Sequence, residues 1–299
     1  MARKDFDPAS THPRMRGIFS AACICLFLLL PVAGGVAASG PVFDVHVHLR
    51  EGEASLQEYL ADVEASGGEL AGLGAMWFGG PYQAREGDLE AIRAGNDGVI
   101  ALGQAHDPVV PIATVHPYDE AAAIAELERV AAAGGRVLKL HAHTQRFDNA
   151  DPRVEALVRR AGELDVVVLM DNANLLPGDS EKLFNLVVRV PGTKFILAHI
   201  GGMNFRFWNM LALARTADGF GMDNLYFDIS GTVLIAPDSP IEDEFVWTLR
   251  NVGIDHVLLG SDYPQMRLGA AVDALERLSL TDAEKEKIRR GNAARLFGL

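Results

Sequence analysis

Asp44-Val-His46-Val-His48 places three side chains capable of metal binding or proton transfer at every second position of an apolar run. In a β-strand, residues two apart share a face, so the carboxylate and both imidazoles point the same way. Two neutral imidazoles turned into an apolar interior each need a partner, and leaving one unpaired costs roughly 1–3 kcal/mol. One divalent ion satisfies both, and imidazole is a preferred ligand of zinc and its neighbours. Other polar residues close apolar runs in the same manner. They are His141 in Lys139-Leu-His141-Ala-His143, Asp171 after Val166–Met170, His199 in Leu197-Ala-His199-Ile-Gly-Gly, and Asp262 in Gly260-Ser-Asp262-Tyr-Pro. His46, His48 and Asp262 form the expected metal set, with Asp171 and then His141 as further candidate ligands. Asp44 is open to ligating, orienting or helix-capping roles. Lys139 is open to two readings, a carboxylated bridging ligand or an ion-pair partner of Asp171. His106, His116 and His256 are expected to be hydrogen-bonded structural residues, and His143 a loop residue near the site.

Residues spread over more than 200 positions meet only if the fold gathers the ends of their strands. Short runs rich in Val, Ile, Leu and Phe predict eight strands, at Val42–His48, Glu69–Phe78, Val109–Val115, Arg136–His141, Val166–Met170, Lys194–His199, Leu225–Ser230 and His256–Gly260. Helical stretches lie between them at Ala54–Ala65, Asp119–Ala133, Asp151–Glu163 and Ser180–Val190, and a last helical segment spans Leu280–Leu299. Asp119 and Asp151 are the expected N-caps, the second followed by a proline. Leu89, Ile92, Val99 and Leu102 recur at near-helical spacing, so Pro81–Pro108 also reads as helix. Eight β–α alternations match a closed α/β barrel of the (β/α)8, or TIM, type, in which the carboxyl ends of all strands converge on one mouth. No Pro-, Gly- or Ser-rich linker divides the chain, so residues 39–299 read as one domain.

The chain has 299 residues and a formal charge of −13, a poor balance for neutralising phosphate backbones, so nucleic acid is not an expected partner. Hydrophobic residues make up 49%, which excludes wholesale disorder. Residues 1–38 read as a signal peptide. Arg3, Lys4, Arg14 and Arg16 precede the apolar run Ile18–Leu30, Pro31 and Gly34-Gly35 break it, and Val36-Ala37-Ala38 offers small residues for cleavage before Ser39. Ile18–Ala38 would also be long enough for a membrane anchor, against which Pro31 and the glycine pair argue. The expectation is an exported periplasmic or extracellular protein with no membrane association after cleavage. Both cysteines, Cys23 and Cys25, fall in this leader, which removes disulfides and thiol catalysis from the mature chain. Gly72-Leu-Gly74 lacks the third glycine of a dinucleotide fingerprint, and no G-x-S-x-G elbow occurs. Phe205, Phe207 and Trp208 read as a substrate wall or as packing, and Arg206 as a carboxylate holder or a surface residue.

Six motifs, in order, resemble a known family: Phe43-Asp-Val-His-Val-His48, Val137-Leu-Lys-Leu-His141, Phe195-Ile-Leu-Ala-His-Ile-Gly-Gly202, Tyr226-Phe-Asp-Ile-Ser-Gly231, Val257-Leu-Leu-Gly-Ser-Asp-Tyr-Pro264 and Gly291-Asn-Ala-Ala-Arg-Leu-Phe-Gly298. Together they are similar to the amidohydrolase superfamily, in the amidohydrolase-related branch that includes aminocarboxymuconate-semialdehyde decarboxylase. The resemblance implies a distorted (β/α)8 barrel with a divalent metal, usually zinc, and direct ligation by Asp171 would shift the preference towards manganese or iron. It implies His46, His48 and Asp262 as ligands and His199 as the catalytic histidine. The family often has a ligating His at the end of strand 5, where this chain has Asp171. The function expected from these residues is hydrolysis of a small amide, ester or lactone by a metal-activated water, with Asp262 moving the proton and His199 stabilising the oxyanion. The alternative is metal-dependent, non-oxidative decarboxylation of a small carboxylic acid. Either way the expected partner is a small molecule, and the sequence is compatible with a homo-oligomer.

Overall fold

Strands buried on both faces read as continuous apolar runs, and the eight expected runs all form strands. The computed structural model describes residues 40–217 and 222–299. The expected signal peptide at residues 1–38 and the expected mature terminus at Ser39 lie outside the described residues. Among the described residues no helix is long and apolar enough to cross a membrane.

The strands are β1 Val42–His48, β2 Leu70–Met76, β3 Val109–Ala113, β4 Val137–Leu140, β5 Val167–Met170, β6 Phe195–Leu197, β7 Leu225–Asp228 and β8 Val257–Leu258. They pair in parallel in the order β1 to β8. The ring is drawn together by bonds beyond the ladders. Val45 N donates to Leu259 O at 3.1 Å, Asp262 N to His46 O at 2.9 Å and His48 N to Tyr263 O at 2.9 Å. This is the expected TIM barrel, with helices between the strands. Several strands end one or two residues before their apolar runs do. Trp77-Phe78, His199 and Ser230 leave the ladder there and build the mouth instead.

Alternation decides which side chains reach the interior. Phe43 and Val45 of β1, Val137 of β4, Val167 and Leu169 of β5, Ile196 of β6 and Leu258 of β8 pack as one inner cluster. Leu138, Leu140, Val168, Met170 and Leu197 belong to the larger cluster that packs against the helices. Lys139, two residues after Val137, and Asp171, two after Leu169, therefore continue the inward rows. Phe297 in the closing helix Asn292–Phe297 lies 5.6 Å from Phe43 between ring centroids and packs against the inner cluster.

Local chemistry sets the helix starts. Asp151 Oδ1 accepts from Arg153 N at 2.9 Å, so this expected cap with Pro152 behind it opens the helix Pro152–Glu163. Asp119 is not the cap of its helix. It sits in the short turn Pro117–Asp119, capped by His116, and the helix Ala121–Ala132 begins after Glu120, whose φ is 49°. Pro81–Pro108 contributes the helix Leu89–Ala105. Trp77 Nε1 donates to Asn96 of that helix at 3.0 Å.

Candidate active site

Each β1 histidine is fixed by a partner that can only accept a hydrogen bond. His46 Nδ1 donates to Asp228 Oδ2 at 2.7 Å, and His48 Nδ1 donates to the carbonyl oxygen of Phe78. In a neutral ring, a proton on Nδ1 leaves Nε2 as a lone-pair donor. Burial, and after it the charge of Lys139, pulls the pKa of His46 down to about 4 against the pull of Asp262 and Asp228, so the ring is neutral at pH 7. Its Nε2 lies 3.4 Å from Asp262 Oδ1, and the Nε2 of His48 lies 3.2 Å from the same oxygen.

Asp262 is buried and its Oδ1 has no hydrogen-bond partner. Burial raises its pKa, but the nearby imidazoles of His46, His48 and His199 outweigh that and hold the carboxyl well below the usual range. Three acceptor atoms thus converge within 4.8 Å of one another. Without a cation such lone pairs repel. The donor set fits a divalent metal, which is the role the sequence suggests for His46, His48 and Asp262.

The second group is built around Asp171. His141 Nε2 and His199 Nε2 each lie 3.5 Å from Asp171 Oδ1. Burial and then the charges facing it lower the pKa of His141 to about 4 despite Asp171. For His199 the balance reverses. Burial lowers its pKa, while the hydrogen bond and charge of Asp171, with the charges of Asp228 and Asp262, raise it further, to about 9. His199 Nδ1 donates to the Ser230 carbonyl at 3.0 Å. The two rings, whose centroids are 5.4 Å apart, are thus shifted in opposite directions, His46 towards the neutral form and His199 towards the protonated one.

Backbone conformation aims both catalytic candidates. His199 and Ile200 have φ of 61° and 45°, and Asp262 has φ of 62°, left-handed values that cost free energy in residues with a Cβ, most of all in a β-branched one. Gly201 and Gly202 continue that turn, and a Cβ on Gly202 would stand 2.6 Å from the Ala173 carbonyl. Gly260 works differently. A Cβ there would come within 2.5 Å of Asp228 Oδ1 and 2.8 Å of the His46 Cβ, so only glycine lets this carboxylate reach His46.

A cavity of about 320 Å³ lies over these residues, lined by His46, His48, Lys139, His141, Asp171, His199 and Asp262, with Arg50, Phe78, Gln83, His143 and Leu175 among the remaining wall. Lys139 does not pair with Asp171. Its Nζ is buried without a hydrogen-bond partner, and burial lowers its pKa against the attraction of Asp171, Asp262 and Asp228. Asp44 lies behind the site. It accepts from Ser261 N at 2.8 Å, Tyr59 Oη at 2.7 Å and His46 N at 3.1 Å, which ties β1 to the segment after β8. His106 pairs with Glu53, His116 with the Gln145 carbonyl and His256 with the Leu225 carbonyl, all outside the cavity. Phe205 and Trp208 are buried against Phe245 and Phe227, and Arg206 pairs with Glu244 at the surface, so none of these forms the cavity wall. Asp228 and the Phe78 carbonyl are the working groups that sequence reasoning left without a role. Asp228 stands in the fourth quoted motif, but its partner His46 is 182 residues away.

The amidohydrolase family model matches residues 43–299, which takes in every residue of the site and, Val42 aside, all eight strands. The chain belongs to the amidohydrolase family. Gamma-resorcylate decarboxylase of Polaromonas sp. (strain JS666 / ATCC BAA-500) is 26% identical over 125 residues, 37% of this amidohydrolase and 36% of that protein. The match thus spans about a third of that relative's length. Among solved structures, 5-carboxyvanillate decarboxylase LigW from Sphingomonas paucimobilis superposes with a TM-score of 0.62 and 21% identity, covering 81% of this chain and 82% of that one. Dihydroxybenzoic acid decarboxylase from Polaromonas sp. JS666, solved with manganese and the inhibitor 2-nitroresorcinol, gives 0.62 and 18%, covering 87% and 97%. At these identities the two structures establish the shared barrel. The expectation of a hydrolase acting on an amide, ester or lactone is corrected by these relatives, which are decarboxylases. Metal-activated water and proton transfer are chemistry that the ligand set alone allows, and nothing in the first-strand motif distinguishes the two reactions.

Proposed function

We propose that this amidohydrolase removes CO2, without oxidation, from a small aromatic carboxylic acid, with manganese as its ion. The observation that carries the reading is His199, held 3.5 Å from Asp171 beside the His46-His48-Asp262 set, with all five facing one cavity. Decarboxylation breaks the bond between ring carbon and carboxylate, leaves the electron pair on the ring carbon and requires a proton there. His199 starts with that proton and supplies it directly or through the Asp262 carboxylate. Asp171 keeps His199 charged, and CO2 departs as the new C–H bond forms. The bound ion would supply positive charge to hold an acidic oxygen of the substrate, and two imidazoles with carboxylate oxygen suit manganese as well as zinc. A cavity of about 320 Å³ lies at the small end of ligand sites, which favours a single ring.

The test is to incubate manganese-loaded protein with 2-hydroxybenzoate and 2,6-dihydroxybenzoate in D2O. The expected outcome is CO2 release with deuterium at the vacated ring position, read by NMR. Folded, metal-loaded protein that releases CO2 from no hydroxybenzoate would overturn the reading. We further propose that residues 1–38 direct export and that the mature chain starts at about Ser39. An intact apolar leader in mass spectra of the native protein would instead mean an anchored form.

A further inference from the structure

Lys139 is 1% exposed, and an ammonium or amine at that depth ordinarily offsets its desolvation with a salt bridge or several hydrogen bonds. Here it has neither among the described residues. The three carboxylates whose charges reach it are engaged elsewhere, Asp171 with His141 and His199, Asp262 with His46 and His48, and Asp228 with His46 and Ser230. Nor is the side chain merely stranded in the core. Its inward position on β4 carries it to the cavity, which it lines next to His141 and Asp171. A buried polar atom that no protein group satisfies, facing a ligand cavity, marks a place for a ligand atom.

The sign of that ligand atom follows from the surroundings. Asp171 and Asp262 line the same cavity, and their carboxylate oxygens would repel an acid wherever no N–H donor faces it. Nζ carries only N–H donors and no acceptor. We propose that Lys139 Nζ receives an anionic oxygen of the substrate, which makes Lys139 a residue that selects an acid over its neutral analogue. This rests on the decarboxylase reading for the presence of an acid, and it assigns to the protein itself, rather than to the ion alone, the recognition of that acid's charge.

Calorimetric titration of manganese-loaded protein with 2-hydroxybenzoate and with its neutral counterpart 2-hydroxybenzamide tests it. Wild type is expected to favour the acid. Lys139→Met should lose about tenfold or more of the affinity for the acid, the scale of one charged hydrogen bond, and keep its affinity for the amide. Lys139→Gln keeps an N–H donor without the charge and should fall between the two. It also carries the test if the methionine variant does not fold. Plasma mass spectrometry should show unchanged manganese in both variants, which separates loss of the lysine from loss of the ion. Unchanged acid affinity in Lys139→Met would overturn the assignment. So would a carbamate carbon on Lys139, seen by NMR after incubation with ¹³C-bicarbonate, because the amine would then be consumed as a carboxylated ligand. The two readings fail separately. Selective acid binding that depends on Lys139, without CO2 release, would sink the decarboxylase, whereas CO2 release with acid affinity indifferent to Lys139 would sink only this inference.

Discussion

Replacing Asp228 by the nearly isosteric asparagine should harm metal binding more than truncating it to alanine. Asp228 Oδ1 accepts from Ser230 N at 2.7 Å, while Oδ2 accepts from His46 Nδ1 at 2.7 Å and from Ser230 Oγ at 2.7 Å. A backbone N–H cannot accept a hydrogen bond, so in Asp228→Asn the side-chain amide oxygen must stay opposite Ser230 N. The amide NH2 then faces His46 Nδ1, and the ring has to present a lone pair there. The proton moves to Nε2, where it points at the position between Nε2 and Asp262 Oδ1 that a cation would take. Alanine removes the acceptor but imposes no tautomer. Loss of a partner that orients a ligating histidine typically weakens metal affinity about 10–100-fold, equivalent to about 1.4–2.7 kcal/mol. The alanine variant is expected near the lower figure and the asparagine variant at or beyond the upper one. Competition with a chelator for Mn²⁺, with circular dichroism to confirm the fold, measures both. Wild-type affinity in Asp228→Asn, or a larger loss in Asp228→Ala than in Asp228→Asn, would refute the tautomer argument.

The other expectations are more direct. His199→Ala and Asp262→Asn should both abolish turnover with the barrel intact, and His199→Ala should retain its metal by plasma mass spectrometry. Complete metal loss in His199→Ala would make that residue a ligand and point to a second ion. Asp171→Ala should leave metal content largely unchanged and stop turnover, because Asp171 lies between His141 and His199. Loss of metal in that variant would restore the ligand role that its strand position suggests. Adding Mn²⁺ at about 100 times its Kd should stabilise the protein by about 2.7 kcal/mol. For a barrel of this size that raises Tm by roughly 5–10 °C in a thermal melt, and an unchanged Tm would mean that the ion does not bind the native state.

The barrel and its metal set were legible because both follow from periodicity. Parallel strands buried on each face read as near-continuous apolar runs, and His46 and His48 at a spacing of two must share a face. The places where the sequence misleads are those governed by partners distant along the chain or by unusual backbone. Asp119 looks like a cap, but His116 caps that turn and the helix starts one residue later, after a residue with φ of 49°. Lys139 and Asp171 are inward neighbours on adjacent strands, which suggests an ion pair. The two imidazoles hold Asp171 instead, and the lysine is left to the cavity. The left-handed turn at His199 and Ile200 has no signature beyond the two following glycines, and Asp228 gives no local hint of its histidine.

The bonds that draw the barrel into a ring run through the metal residues themselves, since Asp262 N donates to His46 O and Ser261 N to Asp44. The ligands thus come from the first strand to be synthesised and from the segment after the last, more than 200 residues later. During translation His46 and His48 exist long before the carboxylate that completes them. An emerging chain can offer an ion only two imidazoles, and the full site forms when the final strand docks. An ion held by these residues would clasp the seam, so tight metal binding would report that the ring has closed, and hydrogen exchange at Val45, His48 and Asp262 would slow when the ion is bound. Acquisition of a metal would in this way inspect the finished fold.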